Sequence, residues 1–475
     1  MTTFEGYAND VDVHPKRGQG PERPPPLSNR LSRADFTLRV TPAIRRAIGE
    51  KCAHPATVWT HSKHMNRKLL YDLAKNFVEP LLSGAKLQPE PVPSVRRDSL
   101  VALVDPCTLQ FKAERADDYR FVLRRSQPFA QVRAGQLTES DVVEGFVKVV
   151  KMMKVGLANW YKADLRAAFP RRVVAKALCN TKGEEEAVLA AIDQMAAWAG
   201  QQYEGKPIPA ALGFLPGQVP GTLSLREMCL DNCSAVLSNG FDTMVTCNFG
   251  GEVVGHETLD APEAALVYAP YRLAGIAGWS TPGRIALVLN RAGEILIFRD
   301  QQLRFARRAG QWHFLTHTPV ITQMGRPDDL EVRKAVYSTC LDASFARTGA
   351  CIGVVTSGHA NDWQEVAVSS KDYLDPAQSP KAKVLAAIVG AKKFQQLDRR
   401  LRQELVAIDG ATLVDHKGTV LAVGAILKIP GGSAGGGRLA AAKALSTLGL
   451  GIKVSQDGRI TGFHDANDDP RFMVM

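Results

Sequence analysis

Two short glycine-containing motifs near the C-terminal end carry residue types suited to a phosphorylated ligand. The first is Asp409-Gly410-Ala411, in which a carboxylate and a glycine precede a hydrophobic run. The second is the run GGSAGGG at 431–437, which is followed by Arg438. A carboxylate in such a position could ligate Mg²⁺ or orient a sugar hydroxyl. Glycines let the backbone approach a ligand closely, and an arginine can hold phosphate oxygens through two donors.

Each motif also has a common structural explanation. An Asp-Gly pair is frequent in turns, and a glycine-rich segment before an alanine-rich helix is often a surface loop. Neither motif is therefore specific alone. The sequence after Arg438 predicts a helix, and the free N–H groups and partial positive charge of a helix N-terminus favour phosphate.

The order of four elements over 326–463 resembles the DisA-type diadenylate cyclase domain. AIDGATLVDHKGTVLAVGAIL at 407–427 is similar to the Asp-Gly-Ala hairpin of that family. GGRLA at 436–440, followed by AAKALS, stands where the family has Gly-Thr-Arg-His-Arg and a helix of small residues. VSQD at 454–457 is similar to the family's Val-Ser-Glu-Glu, and GACI at 349–352 to its Gly-Ala-Leu-Ile strand.

The resemblance implies a nucleotidyltransferase that joins two nucleoside triphosphates through a 3′–5′ phosphodiester. The product would be a nucleotide second messenger, of the kind used in bacterial stress or anti-phage signalling. Two such domains meet face to face in the family, which implies a homo-oligomer. Asp409 would bind Mg²⁺ or Mn²⁺ and would act in catalysis together with Arg438. The residues implied to contact the nucleotide are Gly410, Ala411, Gly436, Gly437 and Ser455. Lys443, one helical turn after Leu439, could supply part of the positive charge that the family has at Leu439 and Ala440, and it is added to this set.

The sequence departs from the family pattern at four positions of this segment. Leu439 and Ala440 replace a histidine and an arginine, Gly437 replaces a threonine, and Gln456 replaces a glutamate. Loss of a cation beside a triphosphate weakens both binding and catalysis. The alternative is a catalytically inert sensor, in which the same pocket binds a nucleotide or dinucleotide and controls the rest of the chain or an effector protein.

Helices and strands are predicted around these motifs. The apolar run 350–356 is typical of a strand covered on both faces. Apolar residues at helical spacing predict a helix over 329–347. Further helices are predicted over 381–406, which is rich in basic residues, and over 438–448 after the glycine-rich run. Further strands are predicted at 411–415, 419–428 and 451–455. With the resemblance to the diadenylate cyclase domain, these elements imply a mixed β-sheet flanked by helices.

The rest of the chain divides by composition, so that the fold class is α/β and multidomain. Residues 1–35 are polar, basic and proline-rich, which predicts a disordered leader. Residues 36–215 form a predicted α/β region of unknown role. Six strand-like segments predict a β-rich module over 216–325. The nucleotide-binding domain is predicted at 326–470.

The net charge and the absence of certain sequence signatures narrow the classes of ligand and partner that the chain is expected to bind. The 475 residues carry a net charge of +11, which favours an anionic partner. The sequence has no helix-turn-helix, zinc-finger or RNA-recognition signature, so a nucleotide is preferred to nucleic acid. No apolar run reaches the roughly 18 residues needed to cross a bilayer, so no membrane is expected. The 8 cysteines form no CxxC pair, which is typical of free thiols in the cytoplasm.

Overall fold

The computed structural model describes most of the chain beyond residue 66. The described residues are 67–88, 99–112, 120–131, 135–152, 161–217, 219–230, 232–260, 268–325, 330–429, 436–465 and 467–475. They all belong to one structural unit, Lys63–Met475. The predicted leader at 1–35 and residues 430–435 of the glycine-rich run lie outside the described residues.

The N-terminal part of this unit is a small antiparallel sheet with helices. Its strands, in the spatial order β1-β4-β3-β2, are β1 (Lys86–Gln88), β2 (Val101–Asp105), β3 (Thr108–Lys112) and β4 (Arg120–Arg124). The helices are α1 (Arg67–Leu73), α2 (Glu139–Met152), α3 (Tyr161–Leu178) and α4 (Lys182–Ala199). Phe146 of α2 meets Phe111 of β3 edge to face, with ring centroids 6.0 Å apart. The apolar face of α2 is thereby buried against the sheet.

A larger sheet occupies the centre of the chain. Its spatial order is β14-β13-β12-β11-β7-β9-β10-β8. The bounds are β7 (Ala210–Leu215), β8 (Leu223–Ser224), β9 (Thr243–Asn248), β10 (Glu252–Thr258), β11 (Ile285–Leu289), β12 (Ile295–Arg299), β13 (Gln302–Arg308) and β14 (Gln311–Phe314). A separate hairpin pairs β5 (Gln202–Tyr203) with β6 (Lys206–Pro207). The helices of this part are α5 (Leu225–Met228), α6 (Ala274–Trp279) and α7 (Thr318–Gln323).

The C-terminal part is a six-stranded mixed sheet between helices. Its spatial order is β17-β16-β15-β18-β19-β20, and β15 runs parallel to β16. The strands are β15 (Ala350–Val355), β16 (Ala411–Asp415), β17 (Val420–Ala425), β18 (Gly449–Val454), β19 (Ile460–His464) and β20 (Phe472–Val474). The helices are α8 (Leu330–Ala346), α9 (Trp363–Val366), α10 (Pro380–Val389), α11 (Arg399–Ala407) and α12 (Gly437–Ser446).

Both faces of this sheet are covered by helices, which confirms the predicted fold class. All six residues of β15 are buried. Ile352 packs in the cluster that contains residues of α8 and α11, whereas Cys351 packs in the cluster that contains residues of α12. Alternate residues of one strand therefore serve two helical layers, as expected from the period of two along a strand.

The segment 381–406, predicted as one helix, is divided in the structure. Gly390 ends α10 with a φ of +58°, a left-handed conformation that favours glycine. A short 3-10 turn follows at Phe394–Gln396, and the Asp398 carboxylate accepts from the backbone N–H groups of Arg400 and Leu401 to cap α11. The predicted boundaries at 216 and 326 remain predictions, although β7, which precedes residue 216, pairs within the central sheet.

A buried histidine connects the central sheet to α8. His317 is 1% exposed, with Nε2 2.8 Å from the Leu303 carbonyl and Nδ1 2.7 Å from the Tyr337 hydroxyl. The carbonyl can only accept, so Nε2 donates to it and Nδ1 accepts from Tyr337. Burial lowers the pKa of His317 to about 3. The folded protein therefore holds this ring neutral.

We expect His317 to make stability fall in acid. An unfolded histidine takes up a proton near pH 6.5, whereas the folded one does so only near its pKa of about 3. The contribution is complete above pH 6.5 and is lost as the pH falls from there towards 3, by up to about 1.4 kcal/mol per pH unit. Urea unfolding of His317→Gln at pH 7.5 and pH 4.5 should show a smaller difference than the wild type, by about 2.7 kcal/mol at most.

The matched control is the exposed His256, because its replacement removes a histidine without opening the core. His256→Gln should keep the pH dependence of the wild type. An unchanged pH dependence in His317→Gln would contradict the assignment of a neutral buried ring.

Candidate functional site

Asp409, Arg438 and Ser455 lie at one edge of the six-stranded sheet. β15 and β16 both begin at this edge, because they are parallel neighbours. β17 and β18 end there, because each is antiparallel to its neighbour. Ala411 lies opposite Ala425, and Ala350 lies opposite Val454. The residues that precede β15 and β16 and those that follow β18 are therefore close in space.

α11 and β16 position Asp409 at this edge. Gly410 has a φ of +102°, and a Cβ on it would lie 2.5 Å from the carbonyl carbon of Gly424. Gly424 has a φ of +63°, and a Cβ there would lie 2.9 Å from the carbonyl oxygen of Asp409. The two glycines thus allow close backbone packing. The Asp409 side chain is exposed and makes no hydrogen bond or ion pair with a described residue.

Lys381 of α10 places a cation beside this turn. Its ammonium donates to the Gly424 carbonyl at 3.2 Å and forms an ion pair with the Asp372 carboxylate. Sequence reasoning missed Lys381 because it is distant from Asp409 along the chain. The one local signal is the helix start at Ser379 and Pro380, where the Ser379 hydroxyl caps α10. Helix starts of this kind are common, so they do not identify a site.

α12 positions Arg438 over the beginning of β15. Gly349 has a φ of +67°, and a Cβ on it would overlap Nη1 of Arg438 and lie 3.3 Å from the Val454 carbonyl oxygen. The half-buried Arg438 side chain therefore lies where β15 begins and β18 ends. Among the described residues it has no hydrogen-bond or ion-pair partner for its guanidinium.

Ser455 follows β18 directly and is half-buried. Its backbone N–H donates to the Arg459 carbonyl at 2.9 Å, which closes the turn between β18 and β19. Its hydroxyl makes no hydrogen bond to a described residue. Arg438 lies beside Gly349, and Ser455 follows Val454, the residue that pairs with Ala350 at the start of β15, so both residues lie at the same edge of the sheet.

The N-terminus of α12 carries features that favour an anion. Gly436 and Gly437 are exposed, Gly436 has a φ of +95°, and the first turn of α12 contains no acidic residue. Lys443, in the same helix, is directed elsewhere: its ammonium lies 2.6 Å from an oxygen of the exposed Asp468. The proposed part of Lys443 in nucleotide binding stays a prediction.

The donor set at this edge fits Mg²⁺ or Mn²⁺ only together with a ligand. Asp409 supplies one hard oxygen donor. No group of three or more His, Cys, Asp or Glu side chains suited to a metal occurs among the described residues. Mg²⁺ is commonly held by one or two carboxylates, with substrate phosphates and water completing its shell. A metal at Asp409 would therefore be shared with the phosphates of a nucleotide.

No protein-family model matches the chain, and no curated protein is similar to it. The chain has a weak structural similarity to the crystal structure of a double mutant of DacA from Staphylococcus aureus. The match covers 31% of this chain and 90% of that chain, with 17% identity and a TM-score of 0.21. A similarity at this level carries no argument about the site.

None of the helices in the described ranges is both long enough and apolar enough to cross a bilayer.

Substitution of Gly349 by alanine should displace Arg438. The new Cβ would overlap the guanidinium, and an L-residue at this positive φ adds a stability cost of about 1 kcal/mol or more. If Arg438 holds phosphate, the affinity for Mg-ATP should fall by roughly tenfold, as expected for the loss of a charge-assisted hydrogen bond. Isothermal titration calorimetry on the full chain measures this affinity.

Gly418→Ala separates the two effects. Gly418 also has a positive φ, +88°, and a Cβ there would overlap only the flexible side chain of Gln395. This variant should lose comparable stability and retain the affinity of the wild type. Equal affinities in the two variants would show that the Gly349 contact does not position Arg438 for a ligand.

Proposed function

We propose that the C-terminal part of this chain is a nucleotidyltransferase of the diadenylate-cyclase type. It would bind a nucleoside triphosphate with Mg²⁺ or Mn²⁺ at the Asp409 edge and join two nucleotides through a 3′–5′ phosphodiester. The observation that carries the proposal is the meeting of Asp409, Arg438 and Ser455 at one sheet edge. These side chains come from three different elements, and none of them is engaged by another described residue.

The chemistry requires a hydroxyl and a phosphorus atom from two different nucleotides. The 3′-oxygen of one nucleotide attacks the α-phosphorus of the other, and the bond from that phosphorus to the bridging oxygen of the β-phosphate breaks. Pyrophosphate leaves with the electron pair, and the hydroxyl proton passes to water. Asp409 would orient the hydroxyl, and Arg438 would bind the phosphate oxygens. Such a reaction depends chiefly on positioning and charge stabilisation.

Lys381 could compensate for the positive charge that is lost where Leu439 and Ala440 stand in place of the family's histidine and arginine. An ammonium has three donors, and the Gly424 carbonyl and the Asp372 carboxylate accept from two of them. One donor remains for a phosphate oxygen. Asp409 also favours an active enzyme over an inert sensor. A carboxylate beside phosphates repels them unless a metal ion bridges the two, and such a metal would serve catalysis.

Two copies of the chain are part of the proposal. Each copy carries one Asp409 and one Arg438, so each would hold one nucleotide. Mutual attack then requires two sites to face each other, which a two-fold symmetric homodimer provides.

One observation favours the second candidate, a catalytically inert sensor. Leu439 packs against the apolar cluster that contains Cys351 and Leu445. Its side chain therefore contributes to the core at a point where the related family has a polar residue. A pocket of this kind could still bind a nucleotide or dinucleotide and transmit its presence to the rest of the chain or to an effector protein.

Activity is tested by incubating the full chain with each nucleoside triphosphate and Mg²⁺ or Mn²⁺. Mass spectrometry should detect a dinucleotide together with pyrophosphate. Asp409→Asn removes the metal ligand while keeping the side-chain shape, so the rate should fall about a hundredfold or more. Asp469→Asn, at another exposed aspartate, is the matched control and should keep the wild-type rate.

The outcomes separate the two candidates. Nucleotide binding that depends on Arg438, without any product from the folded protein, would favour the sensor. Absence of both binding and product would remove both candidates for this edge.

Lys381 has its own matched control on the same helix. Lys381→Met should weaken Mg-ATP binding by about tenfold, because one charge-assisted hydrogen bond to phosphate is lost. Lys383→Met removes an exposed lysine of α10 and should leave the affinity unchanged. Identical affinities in the two variants would exclude Lys381 from the nucleotide site.

A further inference from the structure

Two adjoining cavities lie where loops of the central sheet meet α8 and α11. One cavity has a volume of about 410 Å³, and the other has a volume of about 460 Å³. Both are lined by Phe241, Tyr271 and Arg272. Arg291, in the turn between β11 and β12, lines the first, and Arg400, the second residue of α11, lines the second. Volumes of this size are typical of sites for small molecules.

Three arginines at these cavities lack a carboxylate partner. Arg272, Arg291 and Arg400 are exposed, and none forms an ion pair or side-chain hydrogen bond with the described residues. The Arg400 guanidinium lies 4.7 Å from the centroid of the Tyr271 ring, and that of Arg291 lies 6.0 Å from the centroid of the Phe241 ring. Each cavity is thus lined by two of these arginines, and because like charges repel, a bound anion would be favoured there.

The carboxylate that lines the smaller cavity is already saturated. Asp342 is 3% exposed, and its two oxygens accept from the Arg399 guanidinium and from the Tyr271 backbone N–H. The larger cavity also contains Asp242 and Asp260 at its lining. The electrostatic potential is therefore most favourable for an anion in the smaller cavity, between Arg272 and Arg291.

We propose that these two cavities form a nucleotide-binding site separate from the Asp409 edge. Arg272 and Arg291 would hold the phosphates, since a guanidinium matches phosphate geometry through paired donors. The base would pack against Tyr271 or Phe241, because every nucleobase offers a π-face to an aromatic ring. This site does not depend on catalysis at the Asp409 edge. Together with the site proposed there, it would let one chain bind two nucleotides.

Calorimetric titration of the full chain with ATP and Mg²⁺ tests this site. The wild type should show two binding events. Arg272→Ala and Arg291→Ala should each weaken one event by tenfold or more, whereas Arg438→Ala should weaken only the other. Arg226→Ala, at an exposed arginine of α5, is the matched control and should change neither. If Arg272→Ala and Arg291→Ala also leave both events unchanged, the proposal is overturned.

The role of the rings is tested with partial ligands. ATP should bind this site more tightly than tripolyphosphate, and adenosine alone should bind weakly. Tyr271→Phe should retain the ATP affinity, and the double variant with alanine at both Tyr271 and Phe241 should lose the advantage of ATP over tripolyphosphate. Equal binding of ATP and tripolyphosphate to the wild type would overturn the assignment of a nucleotide in favour of a simple polyphosphate.

A single-stranded nucleic acid is an alternative ligand, because it also presents phosphates and bases to these arginines and rings. A single-stranded oligonucleotide that binds more tightly than ATP, through the same arginines, would also overturn the proposal. Failure at this site and failure at the Asp409 edge are distinguishable, because the two events respond to different arginine substitutions.

Discussion

The parallel pairing of β15 with β16 determines which edge of the C-terminal sheet carries the candidate site. Parallel neighbours begin at the same edge of a sheet, so the chain must return to that edge between them, and α10 and α11 lie within this return. The antiparallel β17 and β18 then deliver their ends to the same edge. Asp409 and Ser455 are distant along the chain and reach the same edge through this arrangement, and α12 places Arg438 there beside Gly349.

The elements were more predictable than the contacts between them. β15 could be foreseen because all its residues are apolar, and the hairpin of β16 and β17 because two such runs flank a turn at Gly418. The division between α10 and α11 was missed because helical spacing continues on either side of Gly390. The contacts of Lys381 and of Arg438 could not be foreseen, since they join elements through tertiary packing that no local pattern records.

Some arginines of the described chain are paired with buried carboxylates, whereas Arg438 is not. Arg308 is buried and shares the Glu294 carboxylate with Arg347, while Arg399 saturates Asp342. These cations are committed to holding the fold together. Arg438, by contrast, has no such partner among the described residues. The net charge of +11 alone could not separate these two groups, because only the fold decides which carboxylates reach which arginines.

The last strand gives the chain a property that its sequence does not suggest. β20 extends the C-terminal sheet, yet the Met473 backbone N–H donates to the side chain of Gln127, and that of Met475 donates to Ser83. Its backbone thus joins the C-terminal sheet to residues around the small antiparallel sheet of the same structural unit. A gene fragment that encodes only the C-terminal sheet would leave these donors without their acceptors. In such a fragment the two N–H groups would have to bond water instead, so the isolated sheet would lose part of what holds its last strand.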